Sequence, residues 1–103
     1  MKLKLLVILN FVLIATHSWA QTNTPDPLQV RSWAAGCANC HGTQGRAEPG
    51  TVSLAGVNKD DLVKSMQDFK TGRRPATVMH QLAKGYTDDQ ITAIASYFAA
   101  QKK

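Results

Sequence analysis

The hydrophobic pattern of this chain divides it into a leader and one helical domain. Lys2 and Lys4 precede an apolar run from Leu5 to Ala15 that is broken only by Asn10, and Ser18-Trp19-Ala20 follows as a small-x-small sequence. This is the layout of a cleaved export signal, with cleavage expected after Ala20. The run is shorter than the roughly 20 apolar residues a membrane span needs. The expected domains are therefore residues 1–20, a signal peptide, and residues 21–103, the mature protein. No cysteine stands at the expected new N-terminus, which is Gln21, so a lipid-anchored product is not expected.

Within the mature part the apolar positions recur at helical spacing. Gln21 to Pro25 is polar and predicts loose chain. Asp26 is placed as an N-cap with Pro27 at the first helical position, and Leu28, Val30, Trp33, Ala34 and Ala35 carry the helix forward. Gly42, Gly45, Pro49, Gly50 and Gly56 predict an extended loop. Asn58 then caps a helix whose Leu62, Met66 and Phe69 share one face. Lys59, Asp60, Lys64, Gln67 and Lys70 occupy the other face, and Gly72 ends it. Arg73-Arg74-Pro75 opens a second loop that leads to Met79 and His80, with one helical turn expected over 81–84. Thr87 and Gln90 form a capping box, with Tyr86 and Ile91 as its hydrophobic staple. Ile91, Ile94, Ala95 and Phe98 mark the buried face of a last helix running to about Ala100, after which Gln101, Lys102 and Lys103 are expected to fray. Strand signals and repeats are absent, so the fold class is all-α, with three to five helices.

Composition narrows the chemistry. The formal net charge is +5, and loss of Lys2 and Lys4 with the leader reduces it. There is no arginine-rich run, which argues against nucleic-acid binding, and no membrane contact is expected after signal cleavage. A domain of this size has a thin core on its own.

The chemistry concentrates in Cys37-Ala38-Asn39-Cys40-His41, and Cys37 and Cys40 are the only 2 cysteines. C-x-x-C-H reads as a site for covalent haem c. Two thiols about one helical turn apart can add across the vinyl groups on one porphyrin edge. The adjacent His41 is then held over the ring, where its imidazole can ligate iron. A carbonyl near Pro49 is the expected acceptor for the Nδ1 proton of His41, which would orient the ring and strengthen it as a ligand. A thioredoxin-like pair is the rival reading, but it belongs in a βαβ setting. A zinc site would need two further ligands, and His17 in the leader and His80 are the only other histidines. A buried haem would also supply the missing apolar core.

The position opposite His41 has four candidates. Met79 stands in a loop, from which a thioether can reach iron without breaking a helix. Met66 lies on an apolar helical face, where methionine is usually core. His80 is next to Met79, and an open position is the fourth. Met79 is the expected ligand, because a neutral sulfur donor raises the potential of a carrier haem. Leu54 is expected to press on the porphyrin. Trp33 packs on the haem or, as a lone aromatic more often does, in the core.

These residues resemble the class I c-type cytochromes, and in particular the cytochrome c4-like group with the cytochrome subunits of flavocytochrome c sulfide dehydrogenases. The matching stretches are Cys37 to Gly42, Leu54-Ala55-Gly56, Phe69 to Arg74, Ala76 to Met79 and Tyr86 to Phe98. The resemblance implies crossed terminal helices and one haem edge exposed in a crevice. It further implies a periplasmic electron carrier, not itself an enzyme, whose partner is an FAD-containing subunit that oxidises sulfide. Two features depart from the pattern. Val30 stands where many such chains place a glycine, so contact with Tyr97 must be built otherwise, through Ala34. Relatives of this group often carry two haem domains, and this chain has one motif.

Lys64, Lys70, Arg73 and Arg74 either ring the haem edge and steer an acidic partner or form an ordinary solvated face. The rival functions are a freely diffusing monohaem carrier for another periplasmic dehydrogenase or oxidase, and an open-site haem enzyme or gas sensor.

Overall fold

A computed structural model describes residues 24–103; the expected signal peptide lies outside them. The described residues form four α-helices and one 3-10 turn, without strands. The all-α expectation holds.

Helix α1 spans Pro27–His41. The Asp26 carboxylate accepts the Leu28 N–H at 3.3 Å, and Pro27 occupies the first turn, where its missing N–H costs nothing. The helix stops at Gly42, which turns the chain at φ 79°. A side chain there would put Cβ 1.8 Å from the Arg46 carbonyl oxygen, so only glycine closes this turn. The 3-10 turn Thr43–Gly45 follows, and the Gly45 carbonyl accepts the N–H groups of Leu54 and Ala55 at 2.8 and 3.1 Å. These bonds fold residues 46–54 into a loop against the end of α1.

Helix α2, Lys59–Lys70, begins at Asn58, whose side chain accepts the N–H of Asp60 at 2.8 Å and of Asp61 at 3.4 Å. None of its residues is fully buried. Helix α3, Met79–Lys84, starts two residues earlier than the turn expected over 81–84, so Met79 opens a helix and does not lie in a loop. A first-turn position still leaves the side chain outside a continuous helical ladder. Helix α4, Asp88–Ala99, carries the expected capping box: the Gln90 N–H reaches the Thr87 hydroxyl at 3.2 Å, and the Thr87 N–H reaches Gln90 Oε1 at 2.9 Å.

Helix α1 packs on α4, and α2 packs on both α3 and α4. Ala34, Ile94 and Phe98 form the buried centre, with Trp33, Leu62, Tyr86 and Tyr97 against it. Ala34, at 2% exposure, is the small residue that lets the terminal helices approach where Val30 replaces glycine. Tyr97 stands edge-on to Phe98 at 5.1 Å. Trp33 is thereby a core residue.

Two polar expectations change. The chain after α4 is held, because Arg46 Nε donates to the Lys102 carbonyl at 3.0 Å and the Gln101 N–H donates to Phe98 at 3.1 Å. Gln67 and Lys70 do not merely face solvent. Both donate to Asp88, at 2.9 and 3.1 Å, and Lys70 also donates to the Tyr86 carbonyl at 2.7 Å. They join α2 to the start of α4.

Hydrogen bonding by Gln67, then by Lys70, holds the Asp88 carboxyl below its usual range, and Lys64 does the same to Asp68. Groups with depressed folded values add stability above the unfolded carboxylate value of about 4, and that stability is lost as pH falls through the folded values. Urea midpoints should therefore stay level from about pH 7 to 5 and decline below about 4. The double variant Asp68→Asn, Asp88→Asn should show a shallower acid decline. An unchanged decline would assign the acid sensitivity to other groups.

Candidate functional site

The helices enclose an open crevice of about 630 Å³. All four helices and the loop after the 3-10 turn contribute to its wall. The end of α1 supplies Cys37, Cys40 and His41; the loop supplies Thr51, Val52 and Leu54; α2 supplies Leu62, Met66 and Phe69. Met79 and Leu82 come from α3, and Ile91, Ile94 and Phe98 from α4. Helical spacing explains this convergence. Positions that share one face of each helix are turned together toward the space between the helices.

His41 Nδ1 lies 2.6 Å from the Val52 carbonyl oxygen. A carbonyl only accepts, so Nδ1 carries the proton and Nε2 keeps its lone pair for a metal. The acceptor is three residues beyond Pro49, where the loop expectation had put it. The Ser53 hydroxyl accepts the Ala47 N–H at 2.9 Å and shapes the loop around this carbonyl. Burial pushes the Cys37 thiol above its ordinary value, while Cys40 is exposed; the two are unbridged. Burial also raises Tyr86, with the Cys37 charge as a smaller cause.

Of the candidates for the second axial position, His80 is turned away. Its Nε2 donates to the Arg74 carbonyl at 2.5 Å, its ring stands 6.4 Å from that of Phe69, and it is not part of the crevice wall. Met79 and Met66 both line the crevice. Leu54 lines it as expected. No group of three or more His, Cys, Asp or Glu side chains that could hold a metal ion occurs among the described residues, which leaves the zinc reading without ligands there.

The four basic residues read as either a docking ring or a solvated face are not equivalent. Lys64 and Arg73 share Asp68 at 2.6 and 3.0 Å, and Lys70 pairs with Asp88 at 3.1 Å. Such exposed pairs add little stability, but they offset the charge a docking ring would offer. Arg74 instead enters the crevice wall. Neither this placement nor the role of Val52 has a signal in the sequence. One arginine of an adjacent pair is indistinguishable from the other, and a backbone carbonyl belongs to every residue type.

The donor set suits a covalent haem. Two thiols and a correctly protonated imidazole occupy one side of an apolar space of cofactor size. Thioether sulfur is also available in the wall, and no helix of the described residues is long and apolar enough to cross a membrane.

Comparison with known proteins agrees with this chemistry. The family model for cytochrome c matches residues 30–102. The cytochrome subunit of sulfide dehydrogenase from Chlorobaculum tepidum is 42% identical over 67 residues, covering 65% of this chain and 61% of that protein. Cytochrome c4 from Pseudomonas aeruginosa is 40% identical over 70 residues, 67% of this chain and 35% of the relative. The thiosulfate dehydrogenase electron acceptor of Thiomonas intermedia is 37% identical over 71 residues, 67% of this chain and 33% of the relative. The chain thus spans less than two thirds of the length of each of these relatives.

Proposed function

This chain belongs to the cytochrome c family, whose members carry covalent haem c, and from that premise we propose that it is a periplasmic electron carrier serving a flavoprotein that oxidises sulfide. Cys37 and Cys40 would anchor the haem through their sulfurs, and His41 and Met79 would ligate its iron. The observation that carries the reading is that these four side chains line one apolar crevice. When bound, haem c supplies an iron that exchanges one electron between its ferric and ferrous states.

The chain's own residues set the conditions for that exchange. Val52 holds the His41 proton and fixes the ring that must bind iron in both states. The α2 and α4 faces turn apolar side chains to the crevice, so few protein dipoles there would reorganise when charge changes. A neutral Met79 sulfur disfavours the ferric state relative to a second imidazole, which raises the potential. With both His41 and Met79 holding the iron, no position would be left for a substrate, in keeping with a carrier and not with an enzyme.

The likeness to the sulfide dehydrogenase cytochrome subunit supports the sulfide partner. The likeness to a thiosulfate dehydrogenase electron acceptor supports a second reading, a diffusing carrier for another dehydrogenase. Native purification separates them. A flavin-containing chain that stays bound through gel filtration, and reduces the haem when sulfide is added, is the expected result. A monomeric haem protein unreduced by sulfide would favour the diffusing carrier.

A further inference from the structure

Helix α3 is six residues long, and its first residue is Met79. Few polar contacts fix where that first turn sits. Val78 makes no cap bond to it. Among the described residues, a single hydrogen bond joins residues 75–84 to anything beyond their own helix and its ends: His80 Nε2 donates to the Arg74 carbonyl at 2.5 Å. Arg74 is in turn fastened to α2. Its N–H donates to the Asp68 carbonyl at 3.1 Å, its Nη1 donates to the Ser65 hydroxyl at 2.9 Å, and its guanidinium lies 5.0 Å from the centre of the Phe69 ring. The hydrogen-bonded path from α2 to α3 therefore crosses at one side chain, and that side chain is the neighbour of Met79.

A carbonyl only accepts, so Nε2 of His80 carries a proton and serves as a donor. Successive residues of a helix point about 100° apart. His80 can thus be tied to the loop while Met79 faces the crevice, and the peptide bond between them makes one constrain the other. We infer that His80 is the positioning residue for Met79: its bond to the Arg74 carbonyl holds the first turn of α3 against the crevice and keeps the thioether from leaving the iron. This rests on the reading of Met79 as a ligand. It gives a role to the histidine that the crevice wall excludes.

An outside ligand reaches the iron only in the fraction of molecules whose methionine has let go, and its apparent affinity scales with that fraction. Imidazole titrated into the ferric holoprotein measures it, through loss of the near-infrared band of sulfur bound to iron. His80→Leu keeps apolar bulk beside Phe69 but has no donor, and should bind imidazole roughly two- to tenfold more tightly, the factor for one ordinary hydrogen bond. His80→Gln places an amide N–H at nearly the same reach and should bind imidazole as the parent does. Parental affinity in the leucine variant overturns the assignment, as does a glutamine variant that binds as tightly as the leucine one. Should His80→Leu fail to mature, His80→Asn, whose amide falls short of the carbonyl, takes its place with the same expected tightening. A parent protein that lacks the sulfur band would overturn the Met79 reading instead, so the two failures are distinct.

Discussion

Met79→Ala is expected to turn a six-coordinate haem protein that ignores carbon monoxide into one that binds it stoichiometrically in the reduced form. The near-infrared band of sulfur bound to ferric iron should vanish, and the potential should fall. The reasoning is one of elimination within a shared wall. His80 is hydrogen-bonded to Arg74 and stands outside the crevice, and Met66 sits mid-helix on the face with Leu62 and Phe69. Met79 is in the first turn of α3, where its side chain can move toward iron without disturbing helical bonds. The matched control is Met66→Leu, a swap of similar volume that should cost less than about 1.5 kcal/mol of stability and leave the spectrum alone. If Met79→Ala keeps the sulfur band while Met66→Leu abolishes it, the ligand is Met66.

The second large effect concerns folding. The double variant Cys37→Ala, Cys40→Ala, made in a host that matures cytochromes, should lack covalent haem and lose most of its helical circular dichroism. Phe98 and Ile91 are the largest fully buried side chains. Helix α2 buries no residue completely, because its apolar face turns toward the crevice. A sealed, empty apolar void costs about 24 cal/mol per Å³. At about 630 Å³ that would be on the order of 15 kcal/mol, the upper end of a domain's whole stability. The crevice is open, so collapse and water reduce this cost, but a fraction of it suffices to unfold so small a domain. A haem-free variant with parental helicity and a parental urea midpoint would show that the protein scaffold stands alone.

Much of the architecture was readable from local chemistry. Asp26 with Pro27, Asn58, and the Thr87–Gln90 pair each mark a helix start, because a cap acts on N–H groups two or three residues away. The face Ile91, Ile94, Ala95 and Phe98 is the buried face of α4. The helix of residues 79–84 was placed late by two residues, since no capping side chain precedes it; Val78 makes no cap bond.

The site divides in the same way. Cys37, Cys40 and His41 are neighbours in the chain, so their common chemistry is a property of the sequence. The same holds for the family resemblance and for the helical class. What the tertiary structure alone decided is which distant groups meet: the Val52 carbonyl on His41, the exclusion of His80, the pairing of Lys70 with Asp88, and the place of Arg74 at the crevice wall. Those choices depend on loop paths across 42–58 and 71–78, which are set by long-range backbone bonds and packing and leave no periodic mark on residue order.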